Sequence, residues 1–314
     1  PEAEAVILPS PNYYGICSDI EAIAEVVHNA GKVLIVDQAH GAHLHFFHKY
    51  GAGDDMPESA EMSGADIVVG STHKTLASLT QSAILNLCSD RVDRYVLEDK
   101  LQAVQSTSPS YVLMASLDIN AEILEKHGQQ LMNKWRENLD RFYIEAANIK
   151  GLNIMKTDMM DDTKINLDMG AYGITGGQLE KLLMEKNIYT ELNTGDILMC
   201  MTGIGNTRSD LEKLLKALEE IAAEYGTAEK SKTQRNVVIP KGGRMHPVPK
   251  YKEFVKLEDA AGRVCAGSII PYPPGIPFVC PGEEISGETC AYIKALRDAG
   301  EKVIGVNDKG QVLV

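Results

Sequence analysis

The sequence has no excess of positive charge and no long apolar segment. Lys and Arg together number 31 against 44 Asp and Glu, which gives a formal net charge of −13. Nucleic-acid binding depends on basic side chains that neutralise phosphates, and anionic membrane surfaces attract basic segments, so neither partner is expected. No run of 18 apolar residues occurs, so no membrane-spanning helix is predicted. A cationic small molecule is more compatible with this charge.

Cysteine pairs and a leader segment are also missing from the sequence. The six cysteines form no Cys-x-x-Cys pair, and four of them lie within apolar runs. We therefore predict free thiols in a reducing, cytoplasmic setting, with neither a disulfide framework nor a metal site. The sequence begins Pro-Glu-Ala-Glu, without Met and without a basic or apolar leader. We expect the chain to be the back part of a longer protein.

The first part of the chain alternates apolar runs with amphipathic segments, as expected for an α/β fold. The predicted strands are Ala5–Pro9, Lys32–Asp37, Ala65–Val69 and Ser82–Cys88. Because continuous apolar runs are typical of strands covered on both faces, we expect an open sheet with helices on both sides. Between the first two strands, a capping box of Ser18 and Glu21 predicts the start of a helix, and Gly31 predicts its end.

The pattern then becomes helical and afterwards alternates again. The helices predicted first are Arg91–Val104, Tyr111–Glu125 and Gln129–Ala147. A second, smaller α/β unit follows, with strands Leu152–Lys156, Lys164–Met169, Ile188–Leu192 and Ile197–Thr202 and helices Thr175–Lys186 and Thr207–Tyr225. The helices are predicted from apolar residues three and four apart, and the strands from short apolar runs.

The last part of the chain is rich in proline and glycine. A polar segment, 227–235, is predicted to be a linker. Beyond it we predict a helix over Ser286–Ala299 and a hairpin of Lys302–Val306 and Gln311–Val314. The predicted domains are therefore residues 1–128, 129–228 and 236–314.

Two clusters of polar residues follow predicted strands, where ligands bind in open α/β sheets. Asp37 ends one strand and is followed by Gln-Ala-His-Gly-Ala-His. Lys74 follows the next strand, within Gly-Ser-Thr-His-Lys. Each cluster has a simpler explanation, since Asp37 could cap a turn and Lys74 could be a solvated side chain in a polar loop. Their combination is more specific, because pyridoxal phosphate uses a lysine to hold its aldehyde and a carboxylate to keep its ring nitrogen protonated.

Three separated runs of sequence resemble the Orn/Lys/Arg decarboxylase family, which consists of fold-type I pyridoxal-phosphate (PLP) enzymes. The run 69–83, Val-Gly-Ser-Thr-His-Lys-Thr-Leu-Ala-Ser-Leu-Thr-Gln-Ser-Ala, resembles the family's cofactor-lysine signature. The run 36–43, Val-Asp-Gln-Ala-His-Gly-Ala-His, resembles its Asp-Glu-Ala-His-Gly-Ala-His stretch, with Gln38 in place of a common Glu. The run 271–277, Pro-Tyr-Pro-Pro-Gly-Ile-Pro, with Pro-Gly-Glu at 281–283, resembles its C-terminal domain. The resemblance extends from about residue 5 to the end.

The resemblance implies the fold and the roles of individual residues. The fold would be a PLP-dependent transferase-like mixed sheet, followed by a small α/β domain and a C-terminal domain. Lys74 would be the Schiff-base lysine, and Asp37 would bind the pyridine nitrogen. The further residues expected at the cofactor are Ala39 packed on the ring, His40 near it, Ser71 and His73 at the phosphate or substrate end, and Thr107 and Ser108 reaching the phosphate of a neighbouring subunit. A homodimer or higher homo-oligomer follows from that last expectation.

The reaction expected from the resemblance is decarboxylation of a basic amino acid in polyamine metabolism. Arginine is the first expectation, with lysine and ornithine open. Lys74 or His73 would reprotonate the substrate Cα. Glu283 is the candidate carboxylate for the substrate's cationic end. Two alternatives remain: an aminotransferase or lyase on the same fold, and a non-catalytic fragment or regulatory homologue.

Other polar or glycine-rich segments are given structural rather than catalytic explanations. The glycine-rich run 202–207 could cradle a phosphate, although a helix N-cap at Asn206 or Thr207 explains it well. The acidic residues in Asp158–Asp162 miss the spacing of a calcium loop and are predicted to form a solvated turn. Trp135 is predicted to lie in the core.

Overall fold

The computed structural model describes residues 2–226, 240–272, 275–298 and 302–314. The chain divides into two compact units, Pro1–Glu191 with Gly195–Lys230 and Leu192–Thr194 with Ser231–Val314. The predicted linker 227–235 lies outside the described residues, as do Pro273 and Pro274 of the proline-rich run and Ala299 of the last predicted helix. In the part of the chain that is described, no helix is both long and apolar enough to cross a membrane.

The first unit opens with a mixed four-stranded sheet. Its strands are β1 (Ala5–Pro9), β2 (Val33–Asp37), β3 (Ile67–Gly70) and β4 (Ile84–Leu87), in the order β1-β2-β3-β4. The first three strands are parallel and β4 is antiparallel to β3. The apolar run of β2 places Leu34 and Val36 in the core with no exposed surface. The predicted α/β sheet is therefore confirmed, with all four strands at the expected places.

Helix α1 (Ile20–Asn29) lies between β1 and β2. Its N-cap is Asp19, whose Oδ1 accepts a hydrogen bond from the Ala22 N–H at 3.0 Å. The predicted capping box of Ser18 and Glu21 is therefore wrong by one position, because Asp caps this helix as effectively as Ser would. Gly31 follows the helix at a φ of +68°, a conformation that glycine adopts without strain.

Three helices follow strands of the first sheet. Helix α2 (Leu44–Lys49) follows β2, α3 (Thr72–Thr75) follows β3, and α4 (Arg94–Val104) follows β4. The predicted start of α4 at Arg91 is three residues too early, because the Asp93 side chain accepts from the N–H groups of Tyr95 and Val96 and caps the helix there. The short helices α2 and α3 lead the chain away from the carboxyl ends of two neighbouring parallel strands.

The next helix, α5 (Tyr111–Ala146), is continuous over 36 residues. The sequence predicted two helices with a break between Glu125 and Gln129, and this prediction is wrong. Gly128 lies inside the helix, where a Cβ atom would stand 2.3 Å from Cε2 of Tyr50. The glycine therefore makes room for an aromatic ring and does not end the helix. The predicted domain boundary at residues 128 and 129 lies within this helix.

Further strands and two helices complete the first unit. They are β5 (Asn153–Ile154), β6 (Lys164–Asp168), α6 (Gly176–Glu185), β8 (Ile197–Met201) and α7 (Arg208–Tyr225), and strand β7 (Leu192–Thr194), which lies between α6 and β8 in the sequence, is assigned to the second unit. Strand β6 pairs antiparallel with both β5 and β8. The strand predicted over Ile188–Leu192 is found later, as β7, because the Ile188 N–H bonds to the Leu183 carbonyl at the end of α6.

The second unit is built from short strands and one helix. These are β9 (Phe254–Lys256), β10 (Ile270–Tyr272), α8 (Gly287–Asp298), β11 (Lys302–Ile304) and β12 (Gln311–Leu313). Strand β11 pairs with β10, and β12 pairs with β9. The predicted hairpin of β11 and β12 is thus wrong in its pairing, although Val306 and Val312 form a single antiparallel bridge beside the turn.

Each unit has its own apolar core. The largest core of the first unit joins α5, α7 and strands β6 and β8, and its fully buried members include Met132, Trp135, Leu139, Ile165, Leu167, Leu179 and Leu218. The predicted core position of Trp135 is confirmed, and its indole N–H donates to Thr202 Oγ1 at 3.0 Å. In the second unit, Ile285, Ile293 and Val312 have no exposed surface. Burial of this kind is the main driving force for folding in each unit.

Candidate active site

Two neighbouring parallel strands bring the predicted site residues to one edge of the first sheet. Strands β2 and β3 are in register, with Asp37 opposite Val69, so the residues that follow each strand emerge together. Asp37 is exposed, and its Oδ1 accepts from the Ala39 N–H at 3.0 Å. The turn-capping role considered for Asp37 is therefore present, and the residue lies at the edge of the sheet where ligands bind in such folds.

Lys74 lies in the short helix α3 and contacts His40 from the segment after β2. Lys74 Nζ is 2.9 Å from His40 Nε2, and 5.9 Å from the centroid of the Tyr13 ring. The Tyr13 and His40 rings are themselves 4.5 Å apart and tilted by 55°. The amine is half-buried between an imidazole and a phenol ring, so the alternative of a solvated lysine in a polar loop is wrong.

Burial favours the neutral forms of both Lys74 and His40. Burial lowers the pKa of Lys74, and the charge of Lys164 lowers it further, while Asp37 and Glu191 act in the opposite direction. The pKa of His40 falls from 6.5 to about 3, first through burial and then through the positive charges of Lys74 and Lys164. A neutral His40 accepts the Lys74 hydrogen bond through Nε2, which places its own proton on Nδ1. Neutral lysine is the nucleophilic form of this side chain.

The remaining residues of the lysine run fix the loop that carries Lys74. His73 Nδ1 is 2.7 Å from the Ser82 carbonyl oxygen, to which it donates. Ser71 is the N-cap of α3, but its side chain makes no capping hydrogen bond. The hydroxyl of Ser82 donates to Ser78, at 2.7 Å, and that of Ser78 donates to Thr72, at 2.6 Å. This buried chain of hydroxyls closes the loop over 71–82.

A second layer of charged residues, which the sequence pattern did not predict, lies beneath the site. Asp161 and Lys164 have no exposed surface, and Lys164 Nζ donates to Asp161 Oδ2 at 2.6 Å. His43 is also fully buried, with Nε2 3.1 Å from Asp161 Oδ1. The prediction of a solvated turn at Asp158–Asp162 is therefore wrong for Asp161. The spacing of Asp161 and Lys164, at i and i+3, was the only local signal for this pair.

Gln38 has a structural partner that explains its departure from the family pattern. Its side chain is buried, its Nε2 donates to Glu61 Oε2 at 2.8 Å, and its Oε1 accepts from the Ala60 N–H at 2.6 Å. A glutamine can make both hydrogen bonds because its amide carries a donor and an acceptor. Gln38 therefore joins the start of the active-site segment to the loop before β3.

The glycine-rich run 202–207 serves the structure of the site. Thr207 caps α7 in a capping box with Asp210, so the N-cap interpretation is confirmed. Gly203 packs against Thr75, where a Cβ atom would stand 3.3 Å from the Thr75 carbonyl oxygen. That carbonyl accepts from the Ile204 N–H at 2.9 Å. The run thus supports the segment carrying Lys74.

Three further predicted binding residues come from other parts of the chain. Thr107 and Ser108 are exposed in the loop between α4 and α5, where the Ser108 N–H donates to Ser106 Oγ at 3.1 Å. Glu283 lies in the second unit and is 9% exposed. Its carboxylate accepts from the N–H groups of Gly243 and Cys280, at 2.7 and 2.9 Å. Those hydrogen bonds stabilise the turn at 280–283 and join it to the segment at Gly243, and the predicted contact of Glu283 with substrate stays a prediction.

Comparison with known proteins identifies the family. Residues 1–171 match the Orn/Lys/Arg decarboxylase major domain, and residues 206–311 match the Orn/Lys/Arg decarboxylase C-terminal domain. The chain is 34% identical to the arginine decarboxylase of Bacillus subtilis over 98% of its own length and 64% of that protein. It is 24% identical to the constitutive lysine decarboxylase of Escherichia coli over 70% of its length and 43% of that protein. The chain therefore belongs to the Orn/Lys/Arg decarboxylase family.

Solved structures support the same fold. The structure of the constitutive lysine decarboxylase of Escherichia coli superimposes with a TM-score of 0.76 at 18% identity, covering 99% of this chain and 58% of that one. An alanine–glyoxylate aminotransferase from Nostoc superimposes with a TM-score of 0.52 at 16% identity, covering 69% of this chain and 61% of that one. The α/β fold is thus shared with decarboxylases and with an aminotransferase. The chain spans about 64% of the length of the Bacillus subtilis relative.

Proposed function

We propose that the chain carries the catalytic lysine of a PLP-dependent decarboxylase that converts a basic amino acid, arginine first, into the corresponding amine and CO2. The observation that carries this proposal is the half-buried Lys74 amine, 2.9 Å from His40 Nε2 at the strand end next to Asp37. Membership of the family and the similarity to curated arginine decarboxylases support the reaction and the choice of substrate.

The residues at this edge of the sheet fit pyridoxal phosphate. They supply an amine whose pKa is lowered by burial, an exposed carboxylate and a hydroxyl at the start of a helix, from Lys74, Asp37 and Ser71 respectively. His40 Nδ1 is buried and finds no hydrogen-bond partner among the residues that the structure describes. An unpaired polar atom in such a site is costly unless a ligand satisfies it.

Each residue then has a defined task in the proposed reaction. Lys74 would hold the cofactor's aldehyde carbon, and Asp37 would pair with the ring nitrogen and keep it protonated. When bound, the cofactor supplies an electron-accepting ring that stabilises the charge left on the substrate Cα as CO2 departs. Lys74 Nζ or the His73 ring would deliver the proton to that carbon. Ala39 and His40 would border the ring, and Ser71 and His73 would contact the phosphate or substrate end.

The wider setting of the enzyme is part of the same proposal. We place the reaction in polyamine synthesis in the cytoplasm, in a homodimer or larger homo-oligomer in which Thr107 and Ser108 reach a neighbouring subunit's phosphate. The exposed position of the loop at 106–110 supports the last point. All six cysteines are free, as expected in a reducing compartment.

The decisive experiment measures CO2 release from arginine, lysine and ornithine by the purified protein supplied with pyridoxal phosphate. We expect the highest kcat/KM for arginine and no release by Lys74→Ala, with the surface variant Lys49→Ala unaffected. Formation of a keto acid without CO2 would instead identify an aminotransferase. A protein that neither releases CO2 nor attaches the cofactor at Lys74 would support the non-catalytic alternative and contradict the proposal.

A further inference from the structure

Beneath the Lys74 and His40 pair lies a cluster of ionisable groups that the proposed reaction does not use. It consists of Asp161, Lys164 and His43, and none of the three has exposed surface. The Asp161 carboxylate accepts from Lys164 Nζ at 2.6 Å, and also from Oγ1 and N–H of Thr163 at 2.7 and 3.0 Å. His43 Nε2 completes the set at 3.1 Å. We refer to Asp161, Lys164 and His43 as the buried cluster.

Two hydrogen bonds join the buried cluster to the segments that carry Lys74 and His40. Lys164 Nζ donates to the backbone carbonyl of His40, whose ring contacts the Lys74 amine. His43 Nδ1 is 3.1 Å from Oγ1 of Thr75, the residue after Lys74. The two segments that carry the pair, after β2 and after β3, are thus joined through one carboxylate on a third segment, near the start of β6.

The protonation state of His43 determines which atoms donate and which accept in these hydrogen bonds. Burial lowers the pKa of His43, which is the largest effect on it, so the ring is neutral. A neutral ring that donates to Asp161 through Nε2 must accept at Nδ1, and the Thr75 hydroxyl is the donor there. Burial raises the pKa of the Asp161 carboxylate, but the neighbouring His43 and Lys164 lower it by more, so its pKa lies well below the usual range. The hydrogen bonds that link Lys164, Asp161, His43 and Thr75 therefore each have a defined donor and acceptor.

Stability alone does not account for this arrangement. Taking a lysine and a carboxylate out of water costs several kcal/mol per ion, and well-packed apolar residues are often as stable or more so. Where such a group is retained, one attested use is the specification of a single arrangement. Here the buried cluster fixes the backbone next to Lys74 and next to His40.

We propose that Asp161, Lys164 and His43 are positioning residues, which hold Lys74 and His40 in the orientation needed for cofactor attachment and proton transfer. The inference rests on the proposed function, since the orientation matters through the reaction of Lys74. It concerns residues that do not touch the reacting atoms. Misplacement of a reactive group by about 1 Å can reduce a rate by about 100-fold, so small shifts suffice for a measurable effect.

The test uses the smallest change that interrupts the connection. Thr75→Val removes the hydroxyl that donates to His43 and keeps the side-chain shape, whereas Thr75→Ser keeps the hydroxyl. Lys164→Met removes the donor to the His40 carbonyl. The measurement is the rate of attachment of pyridoxal phosphate to Lys74, trapped with borohydride and quantified by peptide mass spectrometry, together with kcat, KM and the melting temperature.

We expect Thr75→Val and Lys164→Met to slow attachment by about tenfold or more and to lower kcat, with KM nearly unchanged. Thr75→Ser should restore the rate. Thr289→Val, which removes a buried hydroxyl in the second unit, and Lys156→Met, which removes a surface lysine paired with Asp162, should leave the rate unchanged. If Lys164→Met does not fold, the comparison of Thr75→Val with Thr75→Ser decides the question.

A folded Thr75→Val variant that attaches the cofactor at the wild-type rate would overturn the inference and leave the proposed function intact. A wild-type protein that does not attach the cofactor would overturn the proposed function instead. In that case the inference is tested by the rate at which acetic anhydride acylates Lys74, a reaction that needs no cofactor. We expect Thr75→Val and Lys164→Met to be acylated more slowly than the wild type and Thr75→Ser. Equal rates of acylation would contradict the inference.

Discussion

At the scale of single residues, the contact between Lys74 and His40 places two basic groups where only one can hold a proton. The side chain of His40 is buried, and its burial together with the positive charges of Lys74 and Lys164 lowers its pKa, so the imidazole is neutral. The pKa of His40 falls to about 3, well below its ordinary value of 6.5. In the folded protein, His40 therefore stays neutral until the pH approaches about 3.

We predict that the protein loses stability as the pH falls from about 6.5 towards about 3. In this range His40 is protonated in the unfolded chain but not in the folded protein. The free energy of unfolding therefore decreases as the pH decreases. The lowered pKa of the buried His43 acts with the same sign. Urea unfolding at several pH values measures the slope, and His40→Asn should make it shallower. An identical slope in His40→Asn would contradict the low pKa of His40.

The hydrogen bond from Gln38 to Glu61 supports a second prediction at this scale. Gln38→Glu would place two carboxylates 2.8 Å apart in a partly buried site and would remove the donor to Glu61. We expect the free energy of unfolding to fall by about 1–3 kcal/mol at pH 7. The double variant Gln38→Glu with Glu61→Gln restores one donor and one acceptor, so most of the loss should be recovered. Equal losses in the single and double variants would rule out the pair as the cause.

At the scale of elements, α5 illustrates how a glycine can belong inside a helix. A glycine in a helix interior costs about 1 kcal/mol relative to alanine, so Gly128 weakens α5 locally. The Tyr50 ring occupies the space beside it, and the Tyr50 hydroxyl donates to the Leu124 carbonyl at 2.5 Å on the same helix. The glycine therefore allows α2 and the residue after it to pack closely on α5.

We predict that the effect of Gly128→Ala changes sign with the residue at position 50. In the wild-type background the new methyl group overlaps the Tyr50 ring, and we expect a loss of about 1–3 kcal/mol. In the Tyr50→Ala background the ring is gone, and the better helix propensity of alanine should stabilise the protein by about 1 kcal/mol. Chemical denaturation of the four variants measures both effects. Destabilisation of the same size in both backgrounds would contradict the steric explanation.

The elements that sequence alone predicts well are those with a strong local pattern. The bounds of β1 and the positions of β2 and β6 follow from short apolar runs, and Asp37 and Lys74 follow from their places after β2 and β3. The long helix α5 was divided because Gly128 is a helix breaker by propensity, while its ring partner, Tyr50, is distant in sequence. The pairing of β11 with β10 and of β12 with β9 is likewise nonlocal.

The buried cluster was missed for the same reason. Asp161 and Lys164 are charged residues that are almost never fully buried without partners, so a solvated turn is the reasonable expectation from composition. Their partners are the His43 ring and the His40 carbonyl, which lie 118 and 124 residues away in the sequence. Only the folded chain brings these groups together, and a single sequence contains no direct signal of that contact.

At the scale of the whole molecule, the two units each have an apolar core and the chain has one tryptophan. Trp135 is buried in the first unit, so its fluorescence reports on that unit alone. The far-ultraviolet circular dichroism reports on the helices and strands of both units. The two signals together can therefore separate the unfolding of one unit from that of the other.

We predict different responses to cavity-forming substitutions in the two cores. Leu139→Ala removes a fully buried side chain near Trp135 and should lower the stability of the first unit by about 2–5 kcal/mol, seen as an earlier fluorescence transition. Ile293→Ala makes a similar cavity in the second unit and should change only the circular dichroism transition. A shift of the fluorescence midpoint by Ile293→Ala as large as that by Leu139→Ala would show that the two units unfold together.

The pairing of Gln38 with Glu61 also has an evolutionary consequence. Two acidic side chains cannot share this contact without loss of stability, so the residues at positions 38 and 61 are constrained as a pair and not singly. Among homologous sequences, those with glutamate at position 38 should carry a neutral or basic residue at position 61, while those with glutamine should tolerate an acidic one. Covariation of these two positions would then record a hydrogen bond at the entrance to the active-site segment.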